Sequence, residues 1–490
     1  MDCPVLAGIV YFCSMRYKLY PLAVILVIAL QANAQDKWDL RRCVDYALAN
    51  NISIKQTDIQ ARLAKIQLYQ SQLSQYPGAS FSTGTSFNSG RNQDPTSFSL
   101  ITESYLSANL QLQTSAQIFN WYSKRNTIAA NQWEFQAAMA ASEKIRNDIA
   151  LSIANVYLQV LLSKEQEKIA GVQLQQSQSQ LSNTRKLVKA GALPELNSAE
   201  LEAQVARDSS TYISAKGSSA QNILSLKAFM ALDAAAPFDL DIPPVEKIPV
   251  ENIADLQPDA VYASAIANLP QQRVNDFKIK AAERNMAAAR AGMFPTISAF
   301  GSLGSGYNSR ANEILSSTAV NAPLGKVTVG STIYDVFPLQ PFNSYTYGKQ
   351  QFFSQLNQNF RQSVGLSVSV PIFSGGSLRT GYERSKLNVQ NLQYQQQADN
   401  QKTKQDIYQA YNSAMVALEK FNAGKKSLET AERSYGFAEK RYNVGMLTTL
   451  ELVTNQNNLF RAKLENALNQ YDMVFKMKVL EFYKGKGIKL

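Results

Sequence analysis

The 490-residue chain contains no His. That removes the commonest general base and the commonest metal ligand from any mechanism. Its three Cys (Cys3, Cys13 and Cys43) cannot build a disulfide framework or a four-thiolate zinc site. Neither a G-x-S-x-G elbow nor a G-x-x-x-x-G-K-[ST] phosphate loop occurs, which argues against an enzyme and against a cofactor. Charge is scarce: Asp, Glu, Lys and Arg make up 18% of the chain, against a usual share of about 25%. The net charge of +11 is dispersed, with its densest cluster at Lys484, Lys486 and Lys489. A nucleic-acid partner needs Lys and Arg gathered on one stripe, so none is expected. Past Gln35 there is no run of 18 apolar residues, which excludes a transmembrane helix from the mature chain.

Apolar residues at 45% suffice for a core. Gln, Asn, Ser and Thr take the place of charge, a composition suited to water-filled or lipid-flanked surfaces. Residues 15–34 read as a signal peptide, with Arg16 and Lys18 before the apolar run Leu22–Leu30 and Ala32-Asn33-Ala34 as the cleavage site. Met15 reads as the start, and residues 1–34 as an upstream extension plus a removed leader. An exported chain without a membrane helix is periplasmic, secreted or an outer-membrane β-barrel.

The chain is written twice. Ala47-Leu48-Ala49-Asn50 recurs as Ala265-Ile266-Ala267-Asn268, an offset of 218 (265 − 47), which also carries Pro77 onto Pro295. Ile118-Phe119 recurs as Ile372-Phe373, an offset of 254 (372 − 118), which also maps Gly191-Ala192-Leu193 onto Gly445-Met446-Leu447. The second copy thus carries 36 extra residues (254 − 218) between its two strand segments. The first repeat spans 35–232 and the second 258–490. The stretch 233–257 between them, with Pro237, Pro243, Pro244 and Pro249, reads as a linker wrapped on the surface.

Each repeat runs helix, Pro, strand, loop, strand, then two long helices meeting at a Gly turn. Strands are expected at about 80–88, 106–118, 296–304 and 361–372, with a long loop over 305–360. In 106–118 Leu106, Ala108, Leu110 and Leu112 alternate with Ser107, Asn109, Gln111 and Gln113, the period of a strand with one apolar face. The length fits a membrane-crossing strand, and four such strands per chain cannot close a barrel alone. Three copies supply 12. Residues 123–190 hold no Pro and a single Gly, Gly171; as helix they reach about 100 Å. From Leu450 a heptad seam runs through Val453, Asn457, Phe460, Leu464, Ala467, Tyr471 and Val474. Its copy-one slots, Leu196, Ala199, Ala203, Ala206, Ser210, Ile213 and Gly217, are mostly small. The Gln-rich tracts 173–180 and 390–401 read as solvated or lumen-facing helix surface.

With these units in view, the sequence resembles the TolC-like outer-membrane efflux proteins. The segment Arg441-Tyr442-Asn443-Val444-Gly445-Met446-Leu447-Thr448-Thr449-Leu450-Glu451-Leu452-Val453 is similar to that family's periplasmic hairpin tip. Lys189-Ala190-Gly191-Ala192-Leu193-Pro194-Glu195-Leu196 is its degenerate twin. The resemblance implies a fold of α plus transmembrane β: a homotrimer whose 12-stranded barrel in the Gram-negative outer membrane continues as a coiled-coil α-helical tunnel through the periplasm. It implies passive export of substrates delivered by an inner-membrane transporter through a periplasmic adaptor. It places a pore constriction at Glu451, Thr454 and Tyr442. Three Glu451 carboxylates around an axis would attract cations and raise one another's pKa; otherwise Glu451 is a helix-start acid favoured by the macrodipole. Thr454 stands where the family has a second acid. Tyr442 matches a tyrosine that holds the tips closed, or else packs helices. The salt-bridge latch of some members would fall on Asn197 and Leu447, which are uncharged. Adaptor docking falls on Gly191, Ala192 and Leu193, and on Val444, Gly445, Met446, Leu447 and Thr448, which also read as plain helix-ending turns. A periplasmic coiled-coil adaptor and a stand-alone porin are the alternatives.

Overall fold

The computed structural model describes residues 37–93, 98–242 and 245–485. The leader and Lys486 and Lys489 lie outside the described residues. The helices follow the duplication to the residue, except that the last ends one residue early. Copy one has α1 (Leu40–Asn50), α2 (Ile52–Leu73), β1 (Gly78–Gln93), β2 (Leu100–Phe119), α3 (Ser123–Lys189) and α4 (Glu195–Met230). Copy two has α5 (Pro258–Asn268), α6 (Pro270–Ala291), β3 (Thr296–Asn308), then β4 (Asn312–Val320), β5 (Gly325–Val329), β6 (Thr332–Val336), β7 (Phe342–Lys349) and α7 (Phe352–Gln358), and finally β8 (Arg361–Ser369), α8 (Ser377–Asn443) and α9 (Thr449–Tyr483). Helices α1 and α5 have 11 residues each, α2 and α6 have 22, and α3 and α8 have 67.

The chain divides into two compact units. The helical unit comprises the described residues within Met1–Leu63, Phe135–Lys278 and Leu392–Leu490. Its core is itself repeated. Cys43 and Ala47 of α1, Ile153 and Val160 of α3 and Leu226 of α4 pack together in one cluster. Val261 and Ala265 of α5, Ile407 and Ala414 of α8 and Leu480 of α9 pack in the other, at the same offsets of 218 (261 − 43) and 254 (407 − 153). The proline-rich stretch is not a surface wrap. Its Leu240, Val245, Ile248 and Leu256 are buried in these clusters. Trp38 makes a parallel bridge to Leu240, donating to the Asp239 carbonyl (2.8 Å), and the Tyr157 hydroxyl donates to the Asp241 carbonyl (2.7 Å). Pro cannot join a regular ladder, but the apolar residues between these prolines fill the space beside α1 and α3.

The strand unit comprises Ala64–Glu134 and Ile279–Asn391. It holds an antiparallel sheet in the order β1-β2-β3-β8, with β1 and β8 at its edges. Residues opposite one another share a face: Phe81 with Leu112 and Leu303, and Ala299 with Leu366. On the other face Ser86 bonds Ser107 (2.8 Å) and Ser302 bonds Ser363 (2.8 Å). The strands outrun their alternating stretches: β1 continues to Gln93, β2 starts at Leu100 and β3 reaches Asn308. Ladder bonds come from the backbone and need no apolar alternation. β8 instead stops at Ser369, short of 372, because Pro371 has no N–H to offer.

Residues 305–360 are likewise not a loop. β4 pairs with β7 and, beyond them, β5 with β6, as two antiparallel ribbons. The helical seam is also displaced near the tip. In α9 the buried positions are Thr449, Leu452, Val453, Gln456 and Leu459, while Leu450 is exposed. Leu452 and Leu459 pack on Tyr435 of α8, and Val453 packs on Leu181 of α3 and Leu201 of α4. A helix between two neighbours has two seams, so a single heptad cannot describe it. In α4 the small-residue slots stay exposed, and Leu201, Gln204 and Asp208 are buried instead.

Candidate functional site: the paired helix turns

The two turns that join the long helices have one geometry. Gly191 and Gly445 both sit at φ +73°, a conformation that costs glycine nothing and other residues a steric penalty. The Ala192 N–H reaches back to the Leu187 carbonyl and Gly191 to Val188, both 2.9 Å. Met446 N–H to the Arg441 carbonyl (2.9 Å) and Gly445 to Tyr442 (3.0 Å) repeat the pattern. This is the Schellman closure, which satisfies the last carbonyls of α3 and α8. Gly191, Ala192, Val444, Gly445, Met446 and Thr448 are exposed, whereas Leu193 and Leu447 are half-buried. Leu447 packs against the Tyr435–Leu452–Leu459 cluster.

The turns differ at the helix that follows. Thr448 caps α9: the Glu451 N–H donates to Thr448 Oγ1 (3.3 Å), and Glu451 Oε2 accepts the Thr448 N–H (3.0 Å) and hydroxyl (2.8 Å). The same place before α4 is Pro194, which gives no side-chain cap. Glu451 is therefore a capping-box acid in this chain, and the Thr448 amide and hydroxyl hold its carboxyl below the ordinary range. That local contribution is opposite in sign to the rise expected from like charges. Glu451 and Thr454, three residues apart, share one exposed face of α9. Tyr442 is not on it. Its hydroxyl lies 3.1 Å from Thr184 Oγ1 of α3 and 3.5 Å from Thr449 Oγ1.

Sequence reasoning missed the polar ladder behind the turns. Tyr435, one heptad before Tyr442, accepts from the side-chain amides of Gln176 and Gln180 (the latter 3.0 Å). Burial pushes its hydroxyl up to about 12, with Glu439 adding to the rise. Further along, the Asp208 carboxylate accepts from Ser177 and from Gln204 (2.8 Å), Gln204 also donates to Asn457 (3.0 Å), and Gln456 donates to Ser177 (3.1 Å). Gln173 and Ser177, in the tract expected to be solvated, are buried. The available signal was the i, i+4 spacing of Gln176, Gln180 and Thr184 against Tyr435 and Tyr442.

The chain matches the outer membrane efflux protein family over residues 43–232 and 261–483. It belongs to that family. The match covers most of both repeats and skips the whole proline-rich stretch. The chain is 21% identical over 427 residues to the probable outer membrane lipoprotein SilC of Salmonella typhimurium, covering 86% of this chain and 79% of that one. Its fold is that of CusC, a transmembrane channel, with TM-score 0.72, 16% identity and 92% of each chain covered. The outer membrane channel CmeC of Campylobacter jejuni aligns with TM-score 0.70 and 17% identity over 92% of this chain and 86% of that one. The chain is thus an outer-membrane efflux protein, and the adaptor and porin alternatives are not favoured.

Proposed function

We propose that three copies of this efflux protein close a 12-stranded barrel, continue it as a helical tunnel and receive substrate at the paired turns from a periplasmic adaptor and its inner-membrane transporter. The observation that carries the assembly is a four-stranded sheet with one apolar face, one polar face and both edges, β1 and β8, unpaired among the described residues. An unpaired edge cannot stand in lipid. The helices next to those edge strands in the chain carry matching stripes. Ile52, Ile59, Ile66 and Leu73 recur every seventh residue of α2 and are exposed. Leu387, Tyr394, Tyr408 and Met415 lie on one such register of α8 and are exposed too. In chain order α2 leads into β1 and α8 follows β8. Knobs-into-holes packing between copies accounts for them.

In this reading the exposed turn residues Gly191, Ala192, Val444, Gly445 and Met446 meet the adaptor, with Leu193 and Leu447 supporting them from below and Thr448 fixing the start of α9. Glu451 and Thr454 face the constriction. Tyr442 holds the tip through hydroxyl contacts in place of an ionic latch. Docking is tested by placing a photoreactive side chain at Met446 in living cells, because Thr448 is committed to its cap. Capture of a periplasmic adaptor is the expected result. Capture of this chain alone would remove the docking role of both turns.

A further inference from the structure

The 36-residue excess of copy two builds an arm. Its root is tightly fixed. Arg310, 7% exposed, donates to the Gln93 carbonyl (3.1 Å), approaches Glu103 Oε2 (3.4 Å) and lies 5.0 Å over the Tyr105 ring. Gln355, also buried, accepts from the Asn308 N–H (2.8 Å) and donates to the Gln350 carbonyl (3.0 Å). The β4–β7 and β5–β6 ribbons grow from this root as two-stranded pieces with exposed faces. Such ribbons are marginal in water unless a further strand or element covers them. Val327, Val329, Tyr334 and Val336 share one face of β5–β6 and are all exposed.

Charge selects the occupant. Of residues 314–348 only Lys326 and Asp335 are charged, and they sit opposite each other in the ladder. A contact with anionic lipid headgroups calls for surplus basic groups, and these are missing. The core of a contact between copies is apolar and depleted of charge, which suits a surface whose one opposite-charge pair cancels within the element. The arm also leaves the sheet at β3 and returns at the edge strand β8, so its root adjoins the edge where the next copy is proposed to join. We propose that the arm is a contact between copies of this chain: arms of neighbouring subunits cover one another's apolar ribbon faces at the end of the sheet away from the long helices. The inference rests on the trimer reading above.

The test uses the full-length chain in cells. Val327, Val329 and Tyr334 are each replaced by Cys and treated with a short bifunctional maleimide; Cys43 is fully buried, and the unsubstituted chain is the control. Native mass spectrometry of the extracted chain reads the assembly independently. Trimers whose arm cysteines join chain to chain support the proposal. Trimers with no chain-to-chain adduct at any of the three positions overturn it and leave the trimer standing, as does joining only to a different protein. Absence of trimers overturns the assembly and this contact together. Val327→Lys is the second variant. On a free arm this exposed change is silent, whereas at a contact between copies it buries an unpaired charge in an apolar face and lowers the adduct yield at Val329→Cys by about fivefold or more.

Discussion

Buried thiol and phenol side chains in the helical unit tie its stability to alkaline pH. Burial pushes the Cys43 thiol and the Tyr435 and Tyr471 hydroxyls up to about 12, and raises Tyr157 further still. A raised folded pKa contributes stability that is complete below the unfolded value, about 8.5 for Cys and about 10 for Tyr, and is lost as pH rises through the folded one. Thermal melts of helical ellipticity in detergent should therefore be flat from about pH 6 to 8 and fall above about pH 9. Tyr435→Phe strips an acceptor from two glutamine amides, at a cost of about 1–3 kcal/mol. It should lower the neutral-pH melt and flatten the alkaline fall. At the turns, Thr448→Ala removes the cap of α9, worth about 1 kcal/mol. Amide exchange over 449–452 should speed up about fivefold for that loss, while Pro194→Ala, with no side-chain cap to lose, leaves the start of α4 unchanged.

Elements test the membrane reading most directly. Leu366 and Ser367 are adjacent on β8 but point to opposite faces of the sheet. Leu366 is 70% exposed, so in a water-soluble sheet Leu366→Lys would cost almost nothing. On a lipid-facing strand the same lysine costs about 2–4 kcal/mol near the bilayer midplane. Outer-membrane yield and heat-modifiable gel migration should fall for Leu366→Lys and hold for Ser367→Lys. Equal tolerance of both would sink the lipid-facing assignment. The elements also mark where sequence was readable. Long helices, strand periodicity and Gly turns come from local patterns, and the repeat fixes their starts. The arm did not announce itself, because β4 and β7 alternate weakly and a bulge between Ile314 and Ser316 breaks the period. The buried glutamines were misread because burial of a polar side chain depends on a partner elsewhere in the chain, here Asp208 or Tyr435.

At the scale of the whole molecule, the duplication tied turn to turn. The α1 and α5 cores, the matched helix lengths and the two Schellman closures were all foreshadowed by two offsets in the sequence. The assembly was foreshadowed only by arithmetic, four strands being too few. The heptad stripe of α8 emerged once exposure was known, since its residues otherwise resemble core positions. The same dependence hid the displacement of the α9 seam: Leu450 and Leu452 are equally apolar, and only their neighbours decide which one is buried.

The equal span of α3 and α8, 67 residues each, makes length a matched quantity. Loss of one residue from α3 alone draws its turn back by about 1.5 Å and rotates it by about 100° relative to its twin. Thr184 then no longer meets Tyr442, and the two tips present uneven heights to whatever they dock. Reach in this protein can change only in paired steps: seven residues, two helical turns, entered in both copies at once. The chain behaves as a vernier whose two scales must be recut together.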